Sequence, residues 1–483
     1  MPRGRLLPAL LADPAQRTPL LGWLGVGLAV RLALMPFTVS ADLLAVYWRS
    51  HLIAYDGQLF GGYLVNMGAH YVHAASLRLL DWLLPPPHVV WTHPWWWADS
   101  FALSPQILRW FSTQPWTYQT LFALKLPYLL ADLGAGLALL ALLARTATPH
   151  TMRRAWAFWM LSPIGLYASY MFGRYEMFAV ALVLGALLAC ERERPWLGAV
   201  LLGLAITMRA YPLLLIPVFA LIVTRRVRAQ AAWAVVALAP LGVMMAMNRL
   251  LAGSAGELER LKDFPPSGAF LSLSLPVDRP GQVYLFVLFA LLVYGALAGR
   301  VYGWWGSPGG EFGDGVGGGV PVGQLWMWLL VLHAGLFALT AVSAHYFAWF
   351  TPFVALALGR RPAWRGTLPL HLLQCAAVLT LAQVIHGDPN ILVGLLIPLE
   401  PDLAHALPNL QELLLTSPQL GLQVAGVLRT GLLALTALLA IPAVAELAWP
   451  PAQAGDRERR RADEQHQPAE GERWLVAEQP SAR

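Results

Sequence analysis

Repeated apolar runs of 18 or more residues constrain the fold of this chain more than any other feature of its sequence. A run of this length is typical of a helix that crosses a lipid bilayer. Only 12% of the residues are charged, whereas a soluble globular chain carries about 25%. The sequence therefore predicts an all-α, polytopic integral membrane protein. It excludes a soluble enzyme, a secreted disulfide-rich domain and a nucleic-acid-binding domain.

The apolar runs predict roughly 12 membrane segments. They are 19–38, 119–145, 154–172, 174–190, 196–223 (counted as two), 231–251, 281–299, 324–342, 345–359, 367–386 and 421–446. Arginine orients them, because basic loops stay in the cytoplasm. Segment 196–223 is basic at both ends, so we expect two half-crossings that bend at Arg209 and Pro212. With that bend, the basic loops all fall on the cytoplasmic side.

The segments divide the chain into parts of different character. These are a cytoplasmic N-terminus (1–18), a membrane module (19–360) with a large first outer loop (39–118), C-terminal transmembrane segments (361–450) and a polar cytoplasmic tail (451–483). The tail is predicted to be disordered, because it has few apolar residues to bury. The glycine-rich stretch Gly303–Gly323 is predicted to be a flexible cytoplasmic loop.

The first outer loop is too long to be a simple connector. It contains one amphipathic helical pattern from Asp42 onwards and a second over Val65–Leu84. The aromatic run Trp91–Trp97 follows and suits a membrane interface. Amphipathic helices of this kind lie on a bilayer surface. They would form a platform for a lipid-linked substrate, whose reacting group lies at headgroup level.

Two aspartates in this loop are candidates for chemistry. Asp42 comes directly after the first span, with Ser40 as a plausible N-cap. A carboxylate at the interface can act as a general base, but an ordinary aspartate is also favoured at a helix start. Asp56 is the weaker candidate, because Asp56-Gly57 is typical of a turn.

Ionisable residues inside spans are functional candidates by default, because burying them in a bilayer is costly. Lys125 and Asp132 are seven residues apart and therefore share one helix face. They can serve the substrate or act as structural partners. Arg31, near the outer end of the first span, is interpreted as a side chain that reaches up to the interface.

Two further charged positions lie at a predicted outer turn and at the predicted bend. Arg174 and Glu176 can bind a polar headgroup or form their own ion pair. Arg209, held at a helix break beside Tyr211, can bind a phosphate through paired hydrogen bonds. The alternative is that Arg209 pairs with an acid such as Glu176.

The last cluster is Ser343–Pro352, at an outer turn. His345 can donate to a phosphate or a sugar, while Tyr346 and Trp349 can stack on a sugar or anchor the interface. Four clusters fall on the same predicted face of the membrane. They are the first outer loop, Arg174 with Glu176, the bend at Arg209, and His345 with its neighbours. This coincidence favours an extracytoplasmic cavity that holds an anionic headgroup.

At these residues the sequence resembles the GT-C superfamily of polyprenol-phosphate-sugar-dependent glycosyltransferases. The likeness is strongest to bacterial mannosyltransferase-like members and to the mannosyltransferases of GPI-anchor assembly. It rests on Asp42 and on 161–176, 197–212 and 345–352, and it covers about 19–360. Relatives often have lysine in place of Arg209. The first loop lacks the adjacent pair of acids seen in many relatives, so the residues give no metal site, and Mg or Mn stays an open option.

The resemblance implies a GT-C-like catalytic module in 19–360. It implies an inverting transfer of a hexose, with mannose as the first candidate, from a polyprenyl-phosphate donor to a lipid or glycan acceptor. Asp42 would be the general base, and the donor phosphate would be bound by Arg209, Arg174, Lys125 and His345. The remaining substrate-binding candidates are Glu176, Tyr211, Tyr346, Trp349, Asp56 and Asp132.

The implied location is the cell membrane, with a multi-pass chain among membrane lipids and an active site that faces outward. The competing interpretation is a multi-pass transporter or lipid flippase without transferase activity. It also needs Lys125, Asp132 and Arg209 inside the membrane. The absence of a sequence repeat and the large aromatic loop favour the glycosyltransferase.

Overall fold

The computed structural model describes most of the chain. The described residues are 13–60, 66–91, 110–252, 273–276, 282–304, 320–340, 343–386, 399–400, 402, 410–415 and 417–449. The predictions for residues 1–12, for the aromatic run after Trp91, for most of the glycine-rich loop and for the tail 451–483 lie outside the described residues.

The described chain is almost entirely helical. Its helices are α1 (Pro14–Leu34), α2 (Ala41–Ala54), α3 (Met67–Leu79), α4 (Pro87–Val90), α5 (Thr117–Leu143), α6 (Pro149–Leu161), α7 (Pro163–Leu166), α8 (Glu176–Glu191), α9 (Pro195–Met208), α10 (Ile216–Val223), α11 (Val227–Ala252), α12 (Leu285–Tyr302), α13 (Leu325–Leu339), α14 (Thr351–Arg360), α15 (Thr367–His386), α16 (Leu410–Leu415) and α17 (Pro418–Ala448). Short 3-10 turns occupy Asp81–Leu83, Tyr211–Leu215, Val322–Gln324 and Ala344–Trp349, and a π turn occupies Tyr167–Met171.

One antiparallel hairpin departs from the all-α prediction. Strands β1 (Ser274–Pro276) and β2 (Gln282–Tyr284) pair with Leu275 opposite Val283, directly before α12. The predominantly helical fold is confirmed, and the hairpin is a small addition that the apolar pattern did not indicate.

Among the described residues, six helical stretches are long and apolar enough to cross a membrane. They are Thr117–Leu143, Val227–Leu251, Leu285–Tyr302, Val322–Leu339, Thr367–Val384 and Gln419–Ala448. Large apolar side chains such as Val235 on α11 and Leu422 on α17 are exposed. Such faces are unfavourable in water and are satisfied by lipid tails. The predicted presence of several apolar helices that can span a membrane is thereby confirmed, while the total of roughly 12 segments stays a prediction.

The helix that begins at Pro195 is interrupted where the bend was predicted. Helix α9 ends at Met208, Arg209 has an extended backbone, and a 3-10 turn starts at Tyr211 before α10. Pro212 has no N–H to donate to a continuing helix. The interruption leaves Arg209 at the end of α9 rather than within a regular helix.

The described part of the first outer loop packs against the helical bundle through its own apolar core. Val39, Leu43 and Tyr47 lie in this core with Tyr175 and Phe178 of the bundle. On α3, a Cβ added to Gly68 would lie 2.5 Å from the Thr207 hydroxyl oxygen, so α3 approaches the end of α9 as closely as only glycine permits.

The other end of the bundle carries paired arginines. Arg360 binds both carboxylate oxygens of Glu191 at 2.8 Å, and Arg361 pairs with Glu446. Glu191 ends α8, whereas Glu176 begins it. At 1.5 Å per residue these two ends of the helix are about 22 Å apart.

Candidate active site

The ends of several helices meet at one end of the bundle. Helices α1, α9 and α13 end there, α2, α8 and α14 begin there, and the 3-10 turn Ala344–Trp349 joins α13 to α14. Helix ends carry backbone groups and polar side chains that do not complete a regular helix. All four predicted clusters come together in this region, through Asp42, Glu176, Arg209 and His345.

Local hydrogen bonds place Asp42. Ser40 caps α2, accepting from the Leu43 N–H at 3.1 Å, and its hydroxyl donates to the Phe172 carbonyl. Gly173, with φ +70°, turns the chain so closely against Leu43 that a Cβ there would lie 3.1 Å from the Leu43 Cβ. These contacts hold the start of α2 beside the turn before α8.

Asp42 and Arg174 consequently form an ion pair. The Arg174 Nε lies 3.3 Å from the Asp42 Oδ2, and the Asp42 side chain is 34% exposed. Asp42 also lies in the first turn of α2, where the helix dipole favours negative charge. The carboxylate is therefore held in place and remains open to an approaching hydroxyl group.

Glu176 is the buried charge at the centre of the site. It is fully buried, and the Arg209 Nε donates to its two carboxylate oxygens at 2.9 and 3.0 Å. The Arg209 Nη2 and the Trp349 indole N–H also donate to this carboxylate, and the His345 Nε2 lies 3.9 Å from it. The structure thus shows the pairing of Arg209 with Glu176 that the sequence left open.

Aromatic rings enclose the Arg209 guanidinium. Its central carbon lies 4.7 Å from the Tyr175 ring centroid and 5.0 Å from that of Tyr346. Trp349 stacks on Tyr211 at 4.0 Å and on Tyr346 at 4.6 Å. Cation–π contacts and stacking fix the orientation of Arg209. Tyr346 is only partly buried, so it is the accessible member of this stack.

Two charged residues inside α5, Lys125 and Asp132, bond to α1 and to the residues that follow it. Lys125 donates to the Met35 carbonyl at 2.9 Å and to both oxygens of Thr38. Asp132 accepts from Arg31 at 2.7 Å and from the Tyr170 hydroxyl at 2.8 Å.

Lys125 and Asp132 do not pair with each other. Each of them links α5 to α1 or to the residues that follow it. Arg31 is 1% exposed, so its interpretation as a side chain reaching the interface was wrong. The reason is that Asp132 and the Met160 carbonyl satisfy the guanidinium within the bundle.

Asp56 lies away from this cluster. It follows the end of α2, its side chain is 40% exposed, and its Oδ1 lies 3.7 Å from the His51 Nε2. Asp42 is at the other end of α2, about 18 Å away along the helix.

The carboxylates of the site do not assemble a metal centre. Within the described ranges, no group of three or more His, Cys, Asp or Glu side chains is placed to hold a metal ion. Asp42 is paired with Arg174 and Glu176 with Arg209. These donors are already neutralised by guanidinium groups, so they do not fit a divalent cation.

Residues 111–312 match the model of glycosyltransferase family 87. The family is a GT-C-type family of membrane glycosyltransferases, so the resemblance to the GT-C superfamily is confirmed. No curated protein and no solved structure matches the chain.

The family 87 segment contains part of the site. Lys125, Arg174, Glu176 and Arg209 lie within it, whereas Asp42 lies before it. His345 and Trp349 follow it. The structure therefore completes the family segment with a carboxylate from the first loop and a His–aromatic turn from a later one.

Sequence reasoning missed several side chains that adjoin the family 87 residues. Tyr128 of α5, together with His70 and His73 of α3, lies near Tyr175 and Arg174. The two histidines are three residues apart and therefore lie on one face of α3. A histidine pair on the buried face of an amphipathic helix was the signal that could have identified them.

Proposed function

We propose that the protein is an inverting glycosyltransferase that moves a hexose from a polyprenyl-phosphate donor to a lipid or glycan acceptor on the extracytoplasmic side. Mannose is the first candidate for the sugar. The observation that carries the proposal is the grouping of Asp42–Arg174 with Glu176–Arg209 at one end of a membrane bundle. The match of residues 111–312 to family 87 supports glycosyl transfer, and the proposal adds the donor, the sugar and the side of the membrane.

Asp42 is assigned the role of general base. A base must reach the proton it removes, and Asp42 is the accessible carboxylate of the grouping, because Glu176 is fully buried. Arg174 and the N-terminus of α2 stabilise the negative charge and fix the direction of the side chain. In this role Asp42 accepts the proton of the acceptor hydroxyl while the hydroxyl oxygen attacks.

Arg209 is assigned to the leaving phosphate, and Glu176 orients it. Glu176 engages the Nε and Nη2 groups of Arg209. The bonds to Glu176 do not involve the Nη1 group, so its two N–H groups can bind a phosphate oxygen. Arg174 and His345 would add positive charge and a further donor as charge builds on the phosphate.

Lys125 is assigned an indirect part in phosphate binding. Its ammonium group is fully buried and holds Thr38 and the end of α1. Thr38 also donates to the Tyr170 carbonyl. Lys125 thus positions the chain that leads into Asp42 and into the turn with Arg174.

The chemistry is a single displacement. A bond forms between the acceptor oxygen and the anomeric carbon, and the bond from that carbon to the phosphate oxygen breaks. The electron pair leaves with the lipid phosphate, and the hydroxyl proton goes to Asp42. Attack from the face opposite the phosphate inverts the anomeric configuration. Tyr346 offers a partly exposed ring for the sugar to stack on.

The paired arginines support an outward-facing site. Arg360 and Arg361 lie at the far end of the bundle from Glu176. Because arginine-rich ends of membrane proteins remain in the cytoplasm, the site would face the other compartment. A multi-pass protein of the cell membrane with its site at the outer surface is the arrangement we propose.

The test is sugar transfer by the purified protein in lipid nanodiscs. Radiolabelled polyprenyl-phosphate mannose and glucose are offered with a panel of glycan and lipid acceptors, and nucleotide sugars serve as contrasting donors. We expect transfer from a lipid donor and none from nucleotide sugars. Transfer from nucleotide sugars alone would contradict the donor assignment. Lipid movement across vesicles without transfer would instead favour a flippase.

A further inference from the structure

Four polar side chains beside the site are buried without hydrogen-bond partners for their outer polar atoms. They are His70 and His73 of α3, Tyr128 of α5 and Tyr175 before α8, and none is more than 2% exposed. The two Nε2 atoms and the two tyrosine hydroxyl groups have no hydrogen-bond partner within the described part of the chain. Buried polar atoms are satisfied in most native structures, so four exceptions call for an explanation.

The four side chains form one cluster. His70 meets the Tyr175 ring edge-on at 5.8 Å, and His73 meets the Tyr128 ring at 4.9 Å. The Tyr175 ring centroid lies 5.0 Å from the Arg174 guanidinium carbon. The Tyr175 ring centroid also lies 4.7 Å from the Arg209 guanidinium carbon, which places the cluster beside the proposed catalytic groups.

We propose that His70, His73, Tyr128 and Tyr175 form a subsite that binds the hydroxyl groups of a substrate sugar ring. This inference rests on the proposed glycosyltransferase function and adds the part of the site that recognises the sugar. The sugar can belong to the donor or to the acceptor, because both present the same ring hydroxyl chemistry.

The chemistry of the cluster favours hydroxyl groups over a phosphate or a cation. Burial lowers the pKa of His73 to about 3 and the pKa of His70 well below its usual value, with nearby arginines adding to the second effect. Both imidazoles are therefore neutral and carry one donor and one acceptor each, as tyrosine hydroxyl groups also do. Sugar hydroxyl groups match this pattern, whereas a phosphate has acceptors only.

Two variants remove only the unpartnered oxygen. Tyr128→Phe and Tyr175→Phe each delete a buried hydroxyl that has no protein partner in the described chain, so the melting temperature without ligand should stay the same or rise. The matched control is Tyr294→Phe on α12, because the Tyr294 hydroxyl donates to the Leu214 carbonyl at 2.7 Å. The control should lower the melting temperature and leave substrate affinity unchanged.

Binding is measured in nanodiscs with two lipids, polyprenyl-phosphate mannose and sugar-free polyprenyl phosphate. We expect Tyr128→Phe and Tyr175→Phe to weaken binding of the mannose lipid about three- to tenfold each and to leave binding of the sugar-free lipid unchanged. That result assigns the subsite to the donor sugar. Unchanged donor binding with a KM for the acceptor raised by the same factor assigns it to the acceptor sugar.

The histidines supply a second comparison. His73→Leu removes the polar ring, whereas His73→Gln keeps one donor and one acceptor at a similar position. The subsite predicts that glutamine restores part of the affinity lost with leucine. A purely structural role would change stability in both variants without separating their affinities.

Other outcomes overturn the inference. Equal weakening for both lipids would mean that the hydroxyl groups contact the phosphate. No effect on donor affinity or on the acceptor KM would mean that the cluster holds only water. If the wild-type protein binds neither lipid and transfers no sugar, the proposed function itself fails, and the subsite falls with it.

Discussion

The buried pair of Glu176 and Arg209 gives the sharpest quantitative prediction. Replacing Glu176 with glutamine keeps the size of the side chain and removes the charge opposite Arg209. The pair is linked by three hydrogen bonds, and Trp349 donates a fourth to Glu176. Removing one partner of a buried pair leaves an uncompensated charge and typically costs about 3–5 kcal/mol.

The expected loss for Glu176→Gln lies near the lower limit, about 3 kcal/mol, because the amide oxygen still accepts from Arg209 and Trp349. For a chain of 483 residues, the entropy of unfolding near the melting temperature is about 1 kcal/mol per degree. The melting temperature should therefore fall by about 3 °C. Thermal melting in nanodiscs, followed by tryptophan fluorescence, measures this fall.

A double-mutant cycle tests the physical reason. In Glu176→Gln/Arg209→Gln neither side chain is charged, so the buried charge left by the single substitution disappears. We expect the double variant to be more stable than the sum of the two single losses by about 2 kcal/mol. Additive losses would mean that the two side chains do not act as a pair.

Three further predictions concern the surroundings of the site. Gly173→Ala places a side chain at φ +70° and against Leu43, so the free energy of unfolding should fall by about 1 kcal/mol. The value of kcat should also fall, because this turn positions Asp42; an unchanged kcat would show that it does not. Asp132→Asn leaves Arg31 buried without its acid, so stability should fall by about 3–5 kcal/mol while kcat/KM per folded molecule is retained; a selective loss of kcat/KM would instead give Asp132 a substrate role. The pKa of His73 falls from about 6.5 in the unfolded chain to about 3 in the folded protein. The contribution of neutral His73 to the free energy of unfolding is therefore fully present above pH 6.5 and is lost as the pH drops towards 3. Melting scans should show this slope reduced in His73→Gln, and an equal slope would contradict it.

Much of the helical layout was predictable because it follows from apolar length. The expected segment 367–386 coincides with α15, and the expected break at Arg209 separates α9 from the next helical turn. Proline, glycine and charge mark such boundaries locally. The hairpin before α12 was not predictable, since its strands are three residues each and carry no alternating pattern.

Partners of buried charges were harder to predict from sequence. The spacing of Lys125 and Asp132 correctly places them on one helix, but it cannot say which other helix packs there. Asp132 pairs with Arg31, which is 101 residues away. For Glu176 and Arg209 the pairing was one of two alternatives, and only packing at the helix break decides between them.

The buried cluster of His70, His73, Tyr128 and Tyr175 could not be predicted from the sequence for a similar reason. His70 and His73 are close in sequence, yet their neighbours Tyr128 and Tyr175 come from other elements. A sequence pattern shows which residues share a face. It does not show whether a polar atom on that face finds a partner.

The most direct test of the account compares Asp42→Asn with Asp56→Asn in the sugar-transfer assay. Both variants replace an aspartate of the first loop by its neutral amide, but Asp42 lies at the site and Asp56 lies beyond the end of α2. Because a general base contributes about a hundredfold or more to the rate, kcat should fall by at least that factor in Asp42→Asn and stay near the wild-type value in Asp56→Asn. Transfer at the wild-type rate by Asp42→Asn would show that Asp42 is not the general base.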